Sequence, residues 1–363
     1  MSKAAELAAL IGSQSALSNR NLIINGAMQV AQRGTSFSSI SSAAYPVDRF
    51  FVQDVNSAAG EATVSQSTTA PDDFINSLKI DVTTADTSLV AADQYKIEHR
   101  IEGQNISHLN WGTSAAKTVT LSFWIRSNKT GNTQVGFMNS ANNRAYVATF
   151  TIDVADTWEK KEITVAGDTS GTWLTDNGIG LRLRWGSFGS TYQTSSVDQW
   201  VGANVISRDD SPINFFDSTD NELYITGIQL EVGEQATPFE HRSYGEELAA
   251  CQRYYFQETK PIYGVFTVGR VFNSKTPQFG YSFPVPMRTL PSISNVGSGC
   301  GVWFSSGSET QLSNPAFYQD NTSGTDLIKG SLVFSANSNL SDNNGVALCA
   351  HAADSGLAFS AEL

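Results

Sequence analysis

Three pairs of close acids raise the question of hydrolytic chemistry: Asp72 with Asp73, Asp153 with Asp156, and Asp209 with Asp210. Cleaving a glycosidic bond takes two carboxyl groups on opposite sides of it, about 5 to 10 Å apart. Each pair lies in a polar, turn-like stretch, where acids are ordinarily solvated or cap a neighbouring element. The four histidines, His99, His108, His241 and His351, stand at no metal-ligand spacing, and no G-x-S-x-G turn accompanies them. They read as surface or hydrogen-bonding residues. The three cysteines, Cys251, Cys300 and Cys349, are far apart and form no C-x-x-C, which argues against zinc. They read as buried or half-buried thiols, with a Cys300–Cys349 bridge left open. No catalytic residue, metal, cofactor or enzyme activity is expected.

Sugar recognition needs other residues. Sugars stack their apolar faces on aromatic rings while polar side chains fix the hydroxyls. With seven Trp and eleven Tyr in the chain, what matters is which of them point away from the core. Val119, Leu121, Phe123 and Ile125 alternate with Thr118, Thr120, Ser122, Trp124 and Arg126. Trp124 and Arg126 therefore share the polar face of that strand. On an adjoining run, Ile179, Leu181, Leu183 and Trp185 set a core face, and Arg182 and Arg184 point away from it. Trp124, Arg126, Arg182 and Arg184 form the candidate glycan-binding set, extended by Tyr192 and Trp200, which bracket a polar stretch. Such a face serves equally well packed under a loop or against a neighbouring subunit.

The elements that carry these residues are strands. The 363 residues suffice for two domains, each with its own core. Charged residues are sparse at 16%, and Gly, Ser, Thr and Asn fill the gaps between apolar runs, the composition of an all-β chain with many turns. The net charge of −12 disfavours nucleic acid and anionic membranes as partners. No apolar run approaches the roughly 20 residues that span a bilayer, and no signal peptide opens the chain, so synthesis in a cytoplasm is expected.

Residues 1–20 read as a helical arm. Leu7, Leu10 and Ile11 form an apolar stripe over Ser2–Leu17, and a helix of that length needs a partner surface. It either packs on its own domain or is an arm that docks to a larger assembly or self-associates. Residues 21–245 read as a β-sandwich of jelly-roll type. Leu22–Ile24 is a short strand broken by Asn25-Gly26, Asn128–Asn132 supplies a hairpin turn, and Tyr224–Glu231 alternates strictly. Residues 246–363 read as a smaller β-domain. A short helix over Gly245–Gln257 leads into strands at Ile262–Phe272, Gln278–Phe283 and Ser331–Ala336, and a last strand lies near Gly356–Leu363. The proline-punctuated Phe283–Pro291 suits an edge or a crossing, and Gly297–Asp326 suits surface loops. A core this thin is expected to be completed by oligomerisation.

Three segments carry a resemblance: NLIINGAMQVAQRGTSF from Asn21, YPVDRF from Tyr45, and TGIQLEVGEQATPFEHRSYGEELAACQRYY from Thr226. Together they resemble the carbohydrate-binding-module-like jelly roll of bacteriophage tail-fibre and virion-appendage proteins, over about Asn21 to Tyr255. FPVPMRTLPSI and SGLAFSAEL are similar to the β-domain that follows it. The resemblance implies a virion protein, a homotrimer, that contacts host surface polysaccharide and joins other virion proteins through its N-terminal arm. It carries no catalytic residue. A structural adaptor or decoration protein is the alternative, and a glycan-degrading enzyme the third reading. Jelly rolls of this kind often hold calcium, but only Asp48 and Glu231 offer carboxylates here, and calcium takes about six to eight oxygens.

Overall fold

Period-two alternation builds two facing sheets in about the first two-thirds of this chain. The computed structural model describes residues 19–38, 44–55, 59–273, 276–303, 309–317, 329–336, 340 and 345–363. The expected arm, with Leu7, Leu10 and Ile11, lies outside the described residues. Two compact units emerge, Met1–Glu247 with Leu363, and Leu248–Glu362.

The first unit is a jelly-roll sandwich. One sheet runs Ser36–Phe37, Glu61–Ser67, Ser77–Thr84, Glu222–Val232, Val119–Ser127, Glu159–Val165. The other runs Trp200–Val201, Ala145–Ile152, Gly131–Met138, Ile179–Phe188, Gln94–Glu102, Phe50–Val55, Ala44–Val47. Leu121, Phe123, Ile225 and Leu230 of the first face Ile97, Phe137, Leu183 and Trp185 of the second in one core. Phe123 and Trp185 meet edge to face, 5.8 Å between centroids. Each such side chain contributes about 1.5–3 kcal/mol by leaving water.

The Asn128–Asn132 turn is not a hairpin. Val119–Ser127 and Gly131–Met138 belong to different sheets, so the turn arches over the sandwich edge. Asn128 fixes the arch: its amide donates to the Asp220 carbonyl (2.8 Å), and its oxygen accepts from Glu222 N–H (2.9 Å). Leu22–Ile24 makes no strand either; the extended segment gives one ladder-like bond, Leu22 N–H to the Leu230 carbonyl at 2.9 Å.

The strand Glu222–Val232 is central in its sheet, and its alternation is interrupted. Its pairing with Val119–Ser127 shifts register between Thr226 and Gln229, and Gly227 sits there at φ +61°. A bulge of this kind changes which residues face inward. Leu223 and Ile225 enter the core before it, Ile228 and Leu230 after it. The Gly26 backbone approaches the bulge so closely that a Cβ there would lie 2.1 Å from the Ile228 carbonyl oxygen.

The segments that carry the family resemblance interlock around this strand. Asn21 accepts from Ile23 N–H (3.0 Å) and Leu230 N–H (3.1 Å) and donates to the Ile228 carbonyl (3.2 Å). Asn25 donates to the carbonyls of Val30 (2.9 Å) and Asp48 (2.8 Å). Glu240 accepts from Asn21 N–H at 2.8 Å, and Arg242 donates to the Ile23 carbonyl at 3.2 Å. Ser243 and Glu246 then form a reciprocal cap on the helix Tyr244–Gln252. That helix is shorter than expected, because Tyr255–Lys260 pairs as a strand with Ser355–Ser360.

The second unit holds a three-stranded sheet (Tyr255–Lys260, Ser355–Ser360, Ser292–Val296) and a closed barrel. Around the barrel run Val265–Asn273, Thr276–Ser282, Lys329–Ala336, Glu309–Phe317, Cys300–Trp303 and Gly345–Ala350. Its core is its own: Val271, Phe279, Val302, Leu332, Phe334 and Leu348 are buried together. The expected thin core is thus corrected, as is the reading of Gly297–Asp326 as loops, since Cys300–Trp303 and Glu309–Phe317 lie within it. Phe283–Pro291 joins no ladder. Cys251, Cys300 and Cys349 are buried, and none of them is joined in a disulfide. Burial, with Cys349 adjacent, pushes the Cys300 thiol up to about 12.

Candidate functional site

Trp124 opens outward from its strand, between Lys160 on one neighbour and Thr226 on the other. A groove of about 380 Å³ lies over it. Phe74, Phe239 and His241 wall the groove, with Phe74–Phe239 centroids 5.0 Å apart and Phe239–His241 4.9 Å apart, both edge to face. Ser122, Lys160, Asp72 and Asp73 supply polar groups around them. Gly227 is what lets the rings close up. A Cβ there would lie 2.7 Å from Phe74 Cζ and 2.9 Å from Trp124 Cδ1. The bulge that re-phases the central strand therefore also shapes the groove.

The aromatic surface continues along the same sheet face. Tyr224 lies beneath Arg126 (5.1 Å to the ring centroid) and Lys79 (5.5 Å), with Trp158 at its edge (6.2 Å). Arg126 thus shares the face of Trp124, as alternation requires. Its Nε and Nη2 are held by the Asp156 carbonyl (2.9 Å) and carboxylate (3.1 Å).

The other expected residues lie elsewhere. Arg182 and Arg184 are on the opposite sheet, because the chain crosses over at Asn128–Asn132. Their strand pairs with Gln94–Glu102 and Gly131–Met138, not with Val119–Ser127. Both bind Glu98 there, at 3.0 Å and 2.6 Å. Tyr192 packs on Met138, Ala145, Val147, Phe188, Val205 and Ile206, a small cluster on the outside of that sheet. Trp200 is half-buried, edge to face with Trp111 (5.2 Å), Tyr146 (5.3 Å) and Trp173 (5.4 Å), and its indole N–H donates to the Ala166 carbonyl (2.7 Å). Its ring is used in packing. Phe74, Phe239 and His241 were not singled out from sequence for this groove; the Pro238-Phe239 corner was the visible signal.

The candidate acids are engaged or exposed. Asp153 pairs with Lys161 (3.0 Å), Asp156 with Arg126, and Asp210 with Arg208. Asp48 accepts from Gln32 N–H (3.0 Å), and Glu231 from Thr237 N–H (2.8 Å) and Oγ1 (2.7 Å). No group of three or more His, Cys, Asp or Glu is placed to hold a metal among the described residues. His99 is not a surface residue. It is buried against Phe50 (4.7 Å), and burial, then Arg49, holds its pKa well below the ordinary value.

No protein-family model and no curated protein matches the sequence. Among solved structures, a candidate sugar-binding protein of Bacteroides thetaiotaomicron is similar over 59% of this chain and 100% of its own, at 12% identity and TM-score 0.30. The enzymatically active domain of tailspike protein 4 of bacteriophage CBA120 is similar over 59% of this chain, which spans 22% of that one, at 11% identity and TM-score 0.31. The CBM22-2 xylan-binding domain of Paenibacillus barcinonensis Xyn10C is similar over 54% of this chain and 99% of its own, at 13% identity and TM-score 0.28. At scores this low, what those proteins bind is not carried over to this chain.

Proposed function

We propose that this chain is a glycan-binding component of a bacteriophage tail fibre or related virion appendage, contacting host surface polysaccharide without cleaving it. The Trp124 groove is the observation that supports binding. A sugar ring can lay its apolar face on the indole, while Lys160, Asp72 and Asp73 meet its hydroxyls. Asp72 and Asp73 are exposed neighbours on one loop, which supports hydrogen bonding to hydroxyls over the acid and base placed across a bond that hydrolysis uses. The virion assignment is supported by the three sequence segments described above. In this reading the protein is made in the host cytoplasm, joins the particle through residues 1–20, and forms a homotrimer through its second unit. Exposed Ile262, Tyr263, Val265 and Val268 support a subunit contact there.

Replacing Trp124 by Ala tests the site. Adsorption of the purified protein to host cells should fall, with circular dichroism unchanged. Phe74→Ala should weaken adsorption less. Parental adsorption by a folded Trp124→Ala protein would overturn the groove and favour the adaptor reading, in which this face contacts another virion protein.

A further inference from the structure

The outer face of the seven-stranded sheet gathers four cations around one carboxylate. Lys96, Glu98 and Arg100 alternate outward on Gln94–Glu102, and Arg182 and Arg184 stand in register with Arg100 and Glu98. Glu98 is fully buried. Its oxygens lie 2.6 Å from Arg184 Nε, 3.0 Å from Arg182 Nη1 and 3.9 Å from Lys96 Nζ, and Arg100 Nε also donates to it. Arg100 donates as well to the Leu363 carbonyl. Glu102 ends the row, buried opposite Ile179.

The donors outnumber the acceptors. A carboxylate offers about four lone-pair sites, and each guanidinium brings about five N–H groups. Among the described residues, Arg182 Nε is buried with no acceptor. Arg184 Nη1 faces the Met138 thioether at 3.3 Å, a weak acceptor. Lys96 Nζ lies 5.9 Å from the Phe51 ring centroid. Burial, together with Arg184, Arg100 and Arg182, outweighs the pull of Glu98 and lowers Lys96 to about 8. Four cations on one carboxylate leave the cluster with an excess of formal positive charge, in a protein whose formal charge is −12. Buried charge is costly unless it is paired, and the cluster has room in its hydrogen bonding for a second anion. The side chains of Arg100 and Arg182, 21% and 13% exposed, connect it to solvent.

We propose that Lys96, Arg182 and Arg184 form an oxyanion site that takes one carboxylate or sulfate group of an acidic polysaccharide. It lies on the sheet opposite the Trp124 groove and is chemically separate from it. Only the polysaccharide source rests on the glycan-binding reading.

The test uses the full chain. Calorimetric titration compares a galacturonate oligosaccharide with its neutral galactose counterpart, and thermal unfolding compares sodium sulfate with sodium chloride at equal ionic strength. The acidic oligosaccharide should bind the parent and the Trp124→Ala protein. Its affinity should fall about tenfold in Lys96→Met and in Arg182→Gln, the loss of one charge-assisted contact. Sulfate should raise the Tm of the parent more than chloride does, and Lys96→Met should abolish the excess. Lys96→Met leaves every guanidinium contact to Glu98 in place, so it serves if Arg182→Gln does not fold. A sulfate effect without oligosaccharide binding would overturn the polysaccharide source. Equal responses in parent and Lys96→Met would overturn the site. Loss of acid binding in Trp124→Ala alone would move the anion to the groove and overturn it too.

Discussion

The two outer faces of the sandwich begin from the same pattern and end differently. On each, strands alternate apolar residues inward with Trp, Arg or Lys outward. The face carrying Trp124 stays open, and its rings border a groove of about 380 Å³. The face carrying Arg182 and Arg184 is partly covered, since Val205 and Ile206 pack down on Met138, Ala145, Val147 and Phe188 beside them. Cover changes the chemistry. Open to solvent, an outward residue is available for recognition. Under a cover, an outward Arg must find an anion: Glu98 is the one the fold supplies, and the partly exposed Arg100 and Arg182 keep the cluster in touch with solvent.

Removing that carboxylate should have the largest effect. Glu98→Gln leaves four cations without their counter-charge and should destabilise the first unit by about 3–5 kcal/mol, measured by urea unfolding at neutral pH. Burial raises the Glu98 pKa, but Arg184, Arg100, Lys96 and Arg182 together outweigh it and hold the carboxyl at about 2. A depressed carboxyl stabilises the fold above its unfolded value of 4.5 and ceases to as the pH falls toward about 2. The parent's advantage over Glu98→Gln should therefore shrink across that window. An advantage that does not vary with pH would remove Glu98 from the account.

On the open face, Gly227→Ala should cost about 1–3 kcal/mol, from the positive φ and from contact with Phe74 and Trp124. Glycan adsorption should fall with it. If stability drops while adsorption holds, the groove is not the binding site. Trp124→Ala should spare stability and weaken binding by about 1–3 kcal/mol, the scale of a lost stacking aromatic. Isothermal titration with the glycan that the parent adsorbs to would measure it.

The smallest effect should come from Lys96. Its lowered pKa means that the charged form is disfavoured in the fold, a cost present below about 8 and relieved as the pH rises toward the unfolded value of 10.5. Lys96→Met should stabilise the protein by about 1 kcal/mol at pH 7, and that gain should fade between pH 8 and 10.5. A destabilised variant at pH 7 would show that the cluster needs this cation.

Much of the fold was legible in the residues. Val119, Leu121, Phe123 and Ile125 face the core as their spacing requires, and so does Trp185. What alternation cannot express is a change of phase or a change of sheet. Gly227 looks like one more small residue in a strand until its φ is known. Asn128-Lys129-Thr130-Gly131 has the chemistry of a tight turn whether the chain returns beside itself or arches to the other sheet. That single ambiguity separated Arg182 and Arg184 from Trp124. Cover was illegible for another reason: Val205 and Ile206 sit in a polar stretch that offers no period. In the second unit, the pairing of Glu309–Phe317 with Lys329–Ala336 shifts register between Ser313 and Ala316. That irregularity hides a barrel strand inside a Ser- and Asn-rich sequence.

The interlocked segments at Asn21, Asn25, Glu240 and Arg242 have a mechanical consequence. They clamp the beginning of the sandwich to its end across more than two hundred residues of chain. A pull applied between Asn21 and Arg242 meets these short polar bonds before it reaches either sheet. Tension on the first unit would then run through one knot of asparagine, glutamate and arginine, and the strand bearing Trp124 would keep its shape while the chain around it is under strain.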